Sequence, residues 1–386
     1  MTKAARPIRT FQIGLEWFPE HGGGLDRYYH DLVTLGHGDT LAIAGSVAGN
    51  GGAERETQGR VTSFASAGAS LPQRLVRARR GIRRGIAAQH SDVVASHFAL
   101  HALPLLDRID RPFVVHFHGP WAAEASTQRG SRRIANAAQR WMERRVYRRA
   151  DRVIVLSDAF ARLVHRDYDV DADRIVVVPG SIRIDRFDQV GVSRDDAREV
   201  LGWPKNRRIL LSVRRLVRRM GLERLIDAMV PVVRRHPDLL LLIAGKGPEE
   251  TALRERIAAR GLADHVQLLG FVPDDALPLA YRAAECSIVP TIDLEGFGLI
   301  AAESLAAGTP AIVTPVGGLP EVVAPLSPSL VLSGADVEQI GAGILAWADG
   351  NLAMPDDAAC RGYARTMFSW GAGITRLADA YRGVLA

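Results

Sequence analysis

Ten short apolar runs, spaced along the whole chain and separated by helical patterns, limit the folds open to this sequence more than any other feature. They are TFQIGL from Thr10, VVASH from Val93, FVVHFH from Phe113, RVIVLS from Arg152, IVVV from Ile175, ILLSV from Ile209, LLLLIAG from Leu239, VQLLG from Val266, CSIVP from Cys286 and AIVT from Ala311. Such continuous runs leave no polar face for solvent. Each therefore reads as a strand covered on both sides, the mark of a parallel sheet flanked by helices. Helical patterns fall at residues 24–35, 132–149, 195–201, 222–235, 249–260, 299–307, 319–323 and 374–384. The alternation predicts an α/β chain built from Rossmann-like, doubly wound parallel sheets.

Length divides that architecture in two. The chain has 386 residues, beyond the roughly 250 to 300 at which one hydrophobic core stops growing. A polar stretch from Ser181 to Ser193 precedes a fresh strand-helix series at Ile209, and it places the boundary there. The expected domains are residues 1–185 and 186–369, with the C-terminal helix, about residues 370–386, packing back onto the first. Ligands of open α/β sheets bind outside the carboxyl ends of the strands, so two such domains facing a cleft would line it with loops.

Composition narrows the class. Hydrophobic residues make up 47% and charged residues 24% of the chain, a globular balance that excludes disordered and fibrous classes. The two cysteines are Cys286 and Cys360, and Cys286 lies in the apolar run CSIVP, which suits a buried thiol in a reducing cytoplasm. The N-terminal stretch lacks a signal-peptide core, and the longest apolar run, LLLLIAG, is too short to span a bilayer. The expected setting is cytoplasmic, with a peripheral place at the inner face of the membrane as the alternative.

The net charge is +6, and only Lys3, Lys205 and Lys246 among the 49 basic residues are lysines. Arginines concentrate in RLVRARRGIRR, residues 74–84, and in residues 129–149. Three readings stand: a solvated helix face, a docking surface for an anionic membrane or lipid-linked acceptor, and a nucleic-acid patch, for which no recognition motif is present. Leu75, Val76, Ile82 and Ile86 would give the first stretch an apolar flank for an interfacial role.

The segment from Pro290 to Val323, PTIDLEGFGLIAAESLAAGTPAIVTPVGGLPEVV, carries the strongest chemical signal. A strand ends, a glycine-containing loop follows and a helix opens near Leu299. The amides of Phe297, Gly298 and Leu299 then form an anion site at a helix N-terminus, suited to a pyrophosphate. Glu295 precedes that terminus and Glu303 lies one to two turns inside the helix. Carboxylates accept hydrogen bonds from vicinal hydroxyls, so the pair can hold the two ends of a sugar nucleotide.

With this segment the sequence resembles the retaining glycosyltransferases of family 4, which have the GT-B fold, and the resemblance covers nearly the whole chain. It implies that Glu295 contacts the donor sugar, that Glu303 holds the ribose hydroxyls, and that the backbone of Gly296, Phe297, Gly298 and Leu299 serves sugar and phosphates. LLSVRRLVRRMGLERLIDAM, from Leu210, resembles the family's strand-loop-helix in which an arginine and a lysine neutralise the diphosphate leaving group. Arg215 matches the arginine. Met220 stands at the lysine position, and Arg219 or Arg218 would substitute for it from the same loop.

The resemblance extends to other loops. PEHGGGLDRYYHDL, from Pro19, implies contacts from Gly22, Gly23 and Gly24 to donor phosphate and acceptor. FVVHFHGPW implies that His118 meets the donor sugar, while His116 reads as a core residue and His97 as a candidate facing the acceptor. Gly245 and Lys246 fall beside the donor, and the backbone of Phe271 and Val272 would hold the nucleobase. Ser157 lies either near the cleft or at a helix cap.

His116 and His118 alone do not make a metal set, since no third or fourth ligand is apparent in the sequence. No cofactor or metal is expected, because no carboxylate pair has the spacing of a metal-binding DxD. The expected activity is transfer of a hexose from a nucleotide-diphosphate sugar, such as a UDP- or GDP-sugar, to a polysaccharide, lipid-linked or small-molecule hydroxyl. The alternatives are a phosphorylase or epimerase of the same fold, or a non-catalytic nucleotide-binding membrane adaptor. The near absence of lysine speaks against the phosphorylase. No nucleic-acid partner is expected.

Overall fold

The computed structural model describes residues 6–120, 133–188 and 191–386. Arg129 and Arg132 of the second basic stretch, and Gln189 and Val190 of the polar boundary stretch, lie outside the described residues. The chain divides into two compact units, Met1–Ser181 with Trp370–Ala386, and Ile182–Ser369.

Among the described residues the first unit holds seven strands: β1 Ile8–Glu16, β2 Leu41–Ala48, β3 Val61–Ala65, β4 Val93–Ser96, β5 Phe113–Phe117, β6 Arg152–Val155 and β7 Ile175–Val177. They pair in parallel in the order β3-β2-β1-β4-β5-β6-β7. Two strands, β2 and β3, are absent from the ten apolar runs. LAIAGSVA and VTSFA are rich in small residues and Ser/Thr, so neither shows a strong apolar run. The helix Leu71–Ala88 likewise goes beyond the basic run that marks it in the sequence.

That helix corrects the interfacial reading of its apolar flank. Ala78, Ile82 and Ile86 are buried in the core beneath the sheet, and of the apolar residues among its arginines Val76 is exposed. Two glycines set the approach: a Cβ at Gly85 would stand 2.5 Å from the Phe11 ring, and one at Gly81 would stand 2.8 Å from Phe64 Cβ. The helix therefore presses its backbone onto the sheet and turns its arginines outward.

The second unit holds β8 Arg208–Val213, β9 Leu239–Ala244, β10 Val266–Gly270, β11 Cys286–Val289 and β12 Ala311–Val313, in the order β10-β9-β8-β11-β12. All pairings are parallel. Strand order reverses between β1 and β4 in one sheet and between β8 and β11 in the other. In doubly wound sheets this reversal parts the flanking loops and leaves a crevice at the strands' carboxyl ends. No helix among the described residues is long and apolar enough to cross a membrane.

Candidate functional site

In the second unit, glycines let the loops at the carboxyl edge of the sheet lie against one another. Gly245, at φ 144°, would place a Cβ 1.8 Å from Arg214 O, and Gly221, at φ 73°, would place one 1.9 Å from Pro290 O. Both positions exclude a side chain by contact and by backbone conformation. Leu216 N–H donates to Lys246 O at 3.0 Å, and Glu249 N–H to Leu216 O at 3.1 Å. The loops after β8 and β9 are thereby joined.

Across the β8/β11 reversal stands a pair that the sequence did not reveal. Arg214 Nη2 donates to Glu295 Oε2 at 2.5 Å and to Thr291 Oγ1. The Arg214 side chain is 7% exposed and that of Glu295 14%. Burial alone would raise the Glu295 pKa; the charges and hydrogen bonds of Arg214, with Arg219 and Thr291, more than offset it and hold the carboxyl below its ordinary range.

The turn that presents Glu295 is itself constrained. Leu294 adopts φ 54°, a left-handed conformation that a leucine holds only under surrounding constraint. Its carbonyl accepts from Arg219 Nη1 at 2.8 Å, and Ile292 N–H donates to Arg219 O at 2.9 Å. Gly317, at φ 59°, would drive a Cβ to 1.9 Å from Glu295 O, and Gly318 N–H donates to that same carbonyl at 3.0 Å. Of the other candidates in the β8 loop, Arg215 and Arg218 are exposed, whereas Met220, at the lysine position, is 4% exposed and belongs to the core.

The helix Leu299–Ala306 opens at Gly298, φ 93°, without a side-chain cap. A negatively charged ligand suits such an end. The Phe297 ring is buried edge-on against Phe368, centroids 5.6 Å apart, so only the backbone of Phe297 faces that terminus. Glu303 accepts from the Tyr281 hydroxyl at 3.4 Å. Burial, reinforced by Glu303, pushes the Tyr281 phenol well above its usual pKa. At the end of β10, Phe271 is 63% exposed, and Lys246 Nζ lies 5.8 Å from its ring centroid.

In the first unit, the glycine loop after β1 is held by its flanks. His21 Nδ1 lies 2.9 Å from Glu16 Oε2 and 2.8 Å from Asp26 Oδ2, and Asp26 Oδ1 accepts from Glu16 N–H at 3.0 Å. A Cβ at Gly23 would meet Asp26 Oδ2 at 2.6 Å, whereas Gly22 and Gly24 have open space where theirs would stand.

Beside this loop the structure adds a third imidazole to the two expected. His97 Nδ1 lies 3.1 Å from His118 Nε2, and His97 Nε2 lies 2.9 Å from Gln12 Oε1. The amide oxygen can only accept, so His97 Nε2 bears a proton and its Nδ1 accepts from His118 Nε2–H, leaving His118 Nδ1 as that ring's acceptor. Gln12 Nε2 donates to Tyr381 Oη at 3.2 Å, and Tyr381 lies 2.8 Å from His116 Nε2. Tyr381 belongs to the helix Trp370–Arg382, which packs against β1.

Three imidazole nitrogens of His97, His116 and His118 lie within 4.8 Å of one another, which corrects the expectation that no third ligand is near. Both His97 nitrogens and His116 Nε2 are hydrogen bonded, however, and the His97 and His116 rings stack at 4.2 Å. Burial holds all three neutral, with His118 pushed down to about 3 and His97 and His116 well below the usual value. Ser157 accepts from Phe160 N–H at 3.1 Å and caps the helix Asp158–Tyr168, one of its two readings.

Comparison with known proteins gives matches on both units. Residues 23–186 match the family Glycosyltransferase Family 4, and residues 193–367 match Glycosyl transferases group 1. The chain is 30% identical over 314 residues to D-inositol 3-phosphate glycosyltransferase of Corynebacterium glutamicum, covering 76% of this chain and 73% of that protein. To the protein of that name from Corynebacterium urealyticum it is 32% identical over 263 residues, 64% of this chain, and spans 60% of the relative's length. Among solved structures, sucrose-phosphate synthase from Thermosynechococcus elongatus aligns with a TM-score of 0.77 at 22% identity, covering 98% of this chain and 99% of that one. Anabaena HepE in complex with UDP-glucose aligns at 0.76 and 17% identity, covering 97% and 100%. These alignments identify the fold as GT-B.

Proposed function

This chain belongs to glycosyltransferase family 4, and we propose that it transfers a hexose from a nucleotide-diphosphate sugar to a hydroxyl acceptor, with retention at the anomeric carbon. One observation carries the reading. The β8 and β11 loops bring an ionised Glu295 and the uncapped terminus at Gly298 to one edge of a sheet, with the exposed Arg215 on the β8 loop. That edge offers acceptors for sugar hydroxyls and positive charge for a diphosphate.

In the proposed reaction the bond from the anomeric carbon to the diphosphate oxygen breaks with its electron pair on oxygen. The acceptor oxygen bonds to the same face of the carbon, and its proton passes to the departing phosphate. Arg215 and the amides of Gly298 and Leu299 stabilise the charge growing on that phosphate, with Arg219 or Lys246 beside them. Glu295 orients the sugar, Glu303 holds the ribose, and the backbone of Phe271 and Val272 holds the base. Gly245 and Gly296 line the same loops. In the first unit Gly22, Gly23, Gly24 and His118 are proposed ligand contacts, and His118 Nδ1 has no hydrogen-bond partner among the described residues.

The reading uses no metal, so EDTA should leave turnover unchanged. The UDP-glucose complex of HepE supports a UDP-sugar as the first donor to assay, and the name of the corynebacterial relatives supports a cyclitol phosphate as the first small-molecule acceptor. Transfer or donor hydrolysis with any nucleotide sugar supports the reading; a protein inert to every donor would instead be an adaptor.

Exposed Trp141, with Arg145 5.9 Å over its ring, lies on the helix Arg133–Arg149. We propose this face as the contact with an anionic membrane surface. Sedimentation with anionic vesicles should retain the protein, and Trp141→Ala should weaken that retention.

A further inference from the structure

The Met220 position raises the question of how this site manages charge. A carboxylate set beside a diphosphate site repels the ligand it should help to bind, and a buried carboxylate without a partner takes up a proton. Glu295 faces both difficulties, since it precedes the helix terminus by four residues and its side chain is 14% exposed.

Arg214 answers both. Its guanidinium is fixed by Thr291 Oγ1 and Glu295 Oε2 through one nitrogen, Nη2. Its Nε is buried without a hydrogen-bond partner among the described residues, so Nη2 carries the bonds to both acceptors. The charged groups facing Glu295 are Arg214, from the loop after β8, and Arg219, from the turn at Arg218–Met220. The β12 loop brings Gly317 and Gly318 against its backbone. Arg219 is also held by Leu294 O, which ties it to the turn. The Arg214 charge acts on the Tyr281 hydroxyl too, and that hydroxyl contacts Glu303. One buried cation thus pairs with Glu295 and acts on the hydroxyl that contacts Glu303.

We infer that Arg214 is a positioning residue for the donor: it keeps Glu295 ionised and oriented with Oε1 directed to the ligand, and presents the diphosphate with a neutral pair instead of a bare carboxylate. The inference rests on the donor-site reading of Glu295. It gives Arg214 a role separate from that of Arg215, which is exposed and free to meet the phosphates.

The test is a pH profile of kcat/KM for nucleotide-sugar turnover in wild type, Arg214→Met, Arg214→Lys, Glu295→Gln and the Arg214→Met/Glu295→Gln double variant, with circular dichroism to confirm folding. In Arg214→Met, burial of Glu295 is no longer opposed by its nearest cation. Its pKa rises, and the acid limb of the profile moves up by at least one pH unit. The donor KM rises about tenfold, Arg214→Lys restores part of both effects, and adding Arg214→Met to Glu295→Gln changes little more. An unmoved acid limb in a folded Arg214→Met protein, or additive losses in the double variant, would overturn the inference. If Arg214→Met fails to fold, Arg214→Lys alone decides it, by a shifted or unshifted limb. A wild type that neither binds nor turns over any nucleotide sugar would instead sink the donor-site reading on which the inference rests.

Discussion

The two sheets share a topology yet build opposite electrostatic environments at their reversal points. In the second unit the reversal is occupied by charge: Arg214 and Glu295 form a buried ion pair, with Arg219 holding the adjacent turn. In the first unit it is occupied by neutral rings, with His97 and His116 buried, His118 half-buried, and the three linked to Gln12 and Tyr381. A strand arrangement fixes where a crevice forms and leaves its chemistry to the loop residues. The charged edge suits a diphosphate and ionised contacts to hydroxyls, while the neutral edge can donate and accept at neutral pH without adding charge.

The largest expected effect falls on the charged edge. Arg215→Ala should lower kcat by roughly 100- to 1,000-fold, the scale of removing one preorganised donor at a developing anion, with little change in Tm because Arg215 is exposed. Steady-state kinetics with thermal unfolding checks this, and undiminished turnover would remove Arg215 from the leaving-group role.

Next is a backbone effect. Gly317→Ala must relieve both a positive φ and a 1.9 Å approach to Glu295 O, and should cost on the order of 1–3 kcal/mol and raise the donor KM. Chemical denaturation measures the first and kinetics the second.

The neutral edge should lose stability on acidification, as the charged one does, but from a higher pH, because an unfolded imidazole takes up its proton before a carboxylate. A histidine whose pKa is depressed in the native state takes up fewer protons than the unfolded chain. Its contribution to stability is complete above the unfolded pKa near 6.5 and is lost as pH falls toward the native value, about 3 for His118. Tm should therefore fall as pH drops below about 6.5, and His118→Asn should flatten that dependence. The smallest stability effect is expected at Gly24→Ala: no atom lies within 4 Å of the added methyl, so stability should change by less than about 0.5 kcal/mol, while the donor KM rises if the loop approaches phosphate.

Much of the fold is legible in the sequence because continuous apolar runs and helix periodicity are local signals. The helices Leu222–Arg235 and Leu319–Val323 fall where the pattern places them. Strands β2 and β3, and the helices Val337–Ala348 and Asp357–Phe368, escape because small or mixed residues blur the period. The long-range partners of the site escape for another reason. Arg214 reaches Glu295 across 81 residues, His97 reaches Gln12 across 85, and Tyr381 reaches His116 across 265. Arg214 looks like one more member of an arginine run, and only the sheet order that sets β8 beside β11 turns it inward.

The central claim is that the charged edge of the second unit binds a nucleotide-diphosphate sugar. Calorimetric titration of the purified full chain with UDP-glucose and GDP-mannose, beside Glu295→Gln and Arg215→Ala, tests it most directly. Saturable binding of at least one nucleotide sugar by the wild type is expected, with at least tenfold weaker binding by both variants. Equal affinity in all three proteins, or no binding of any nucleotide sugar by the wild type, would contradict it.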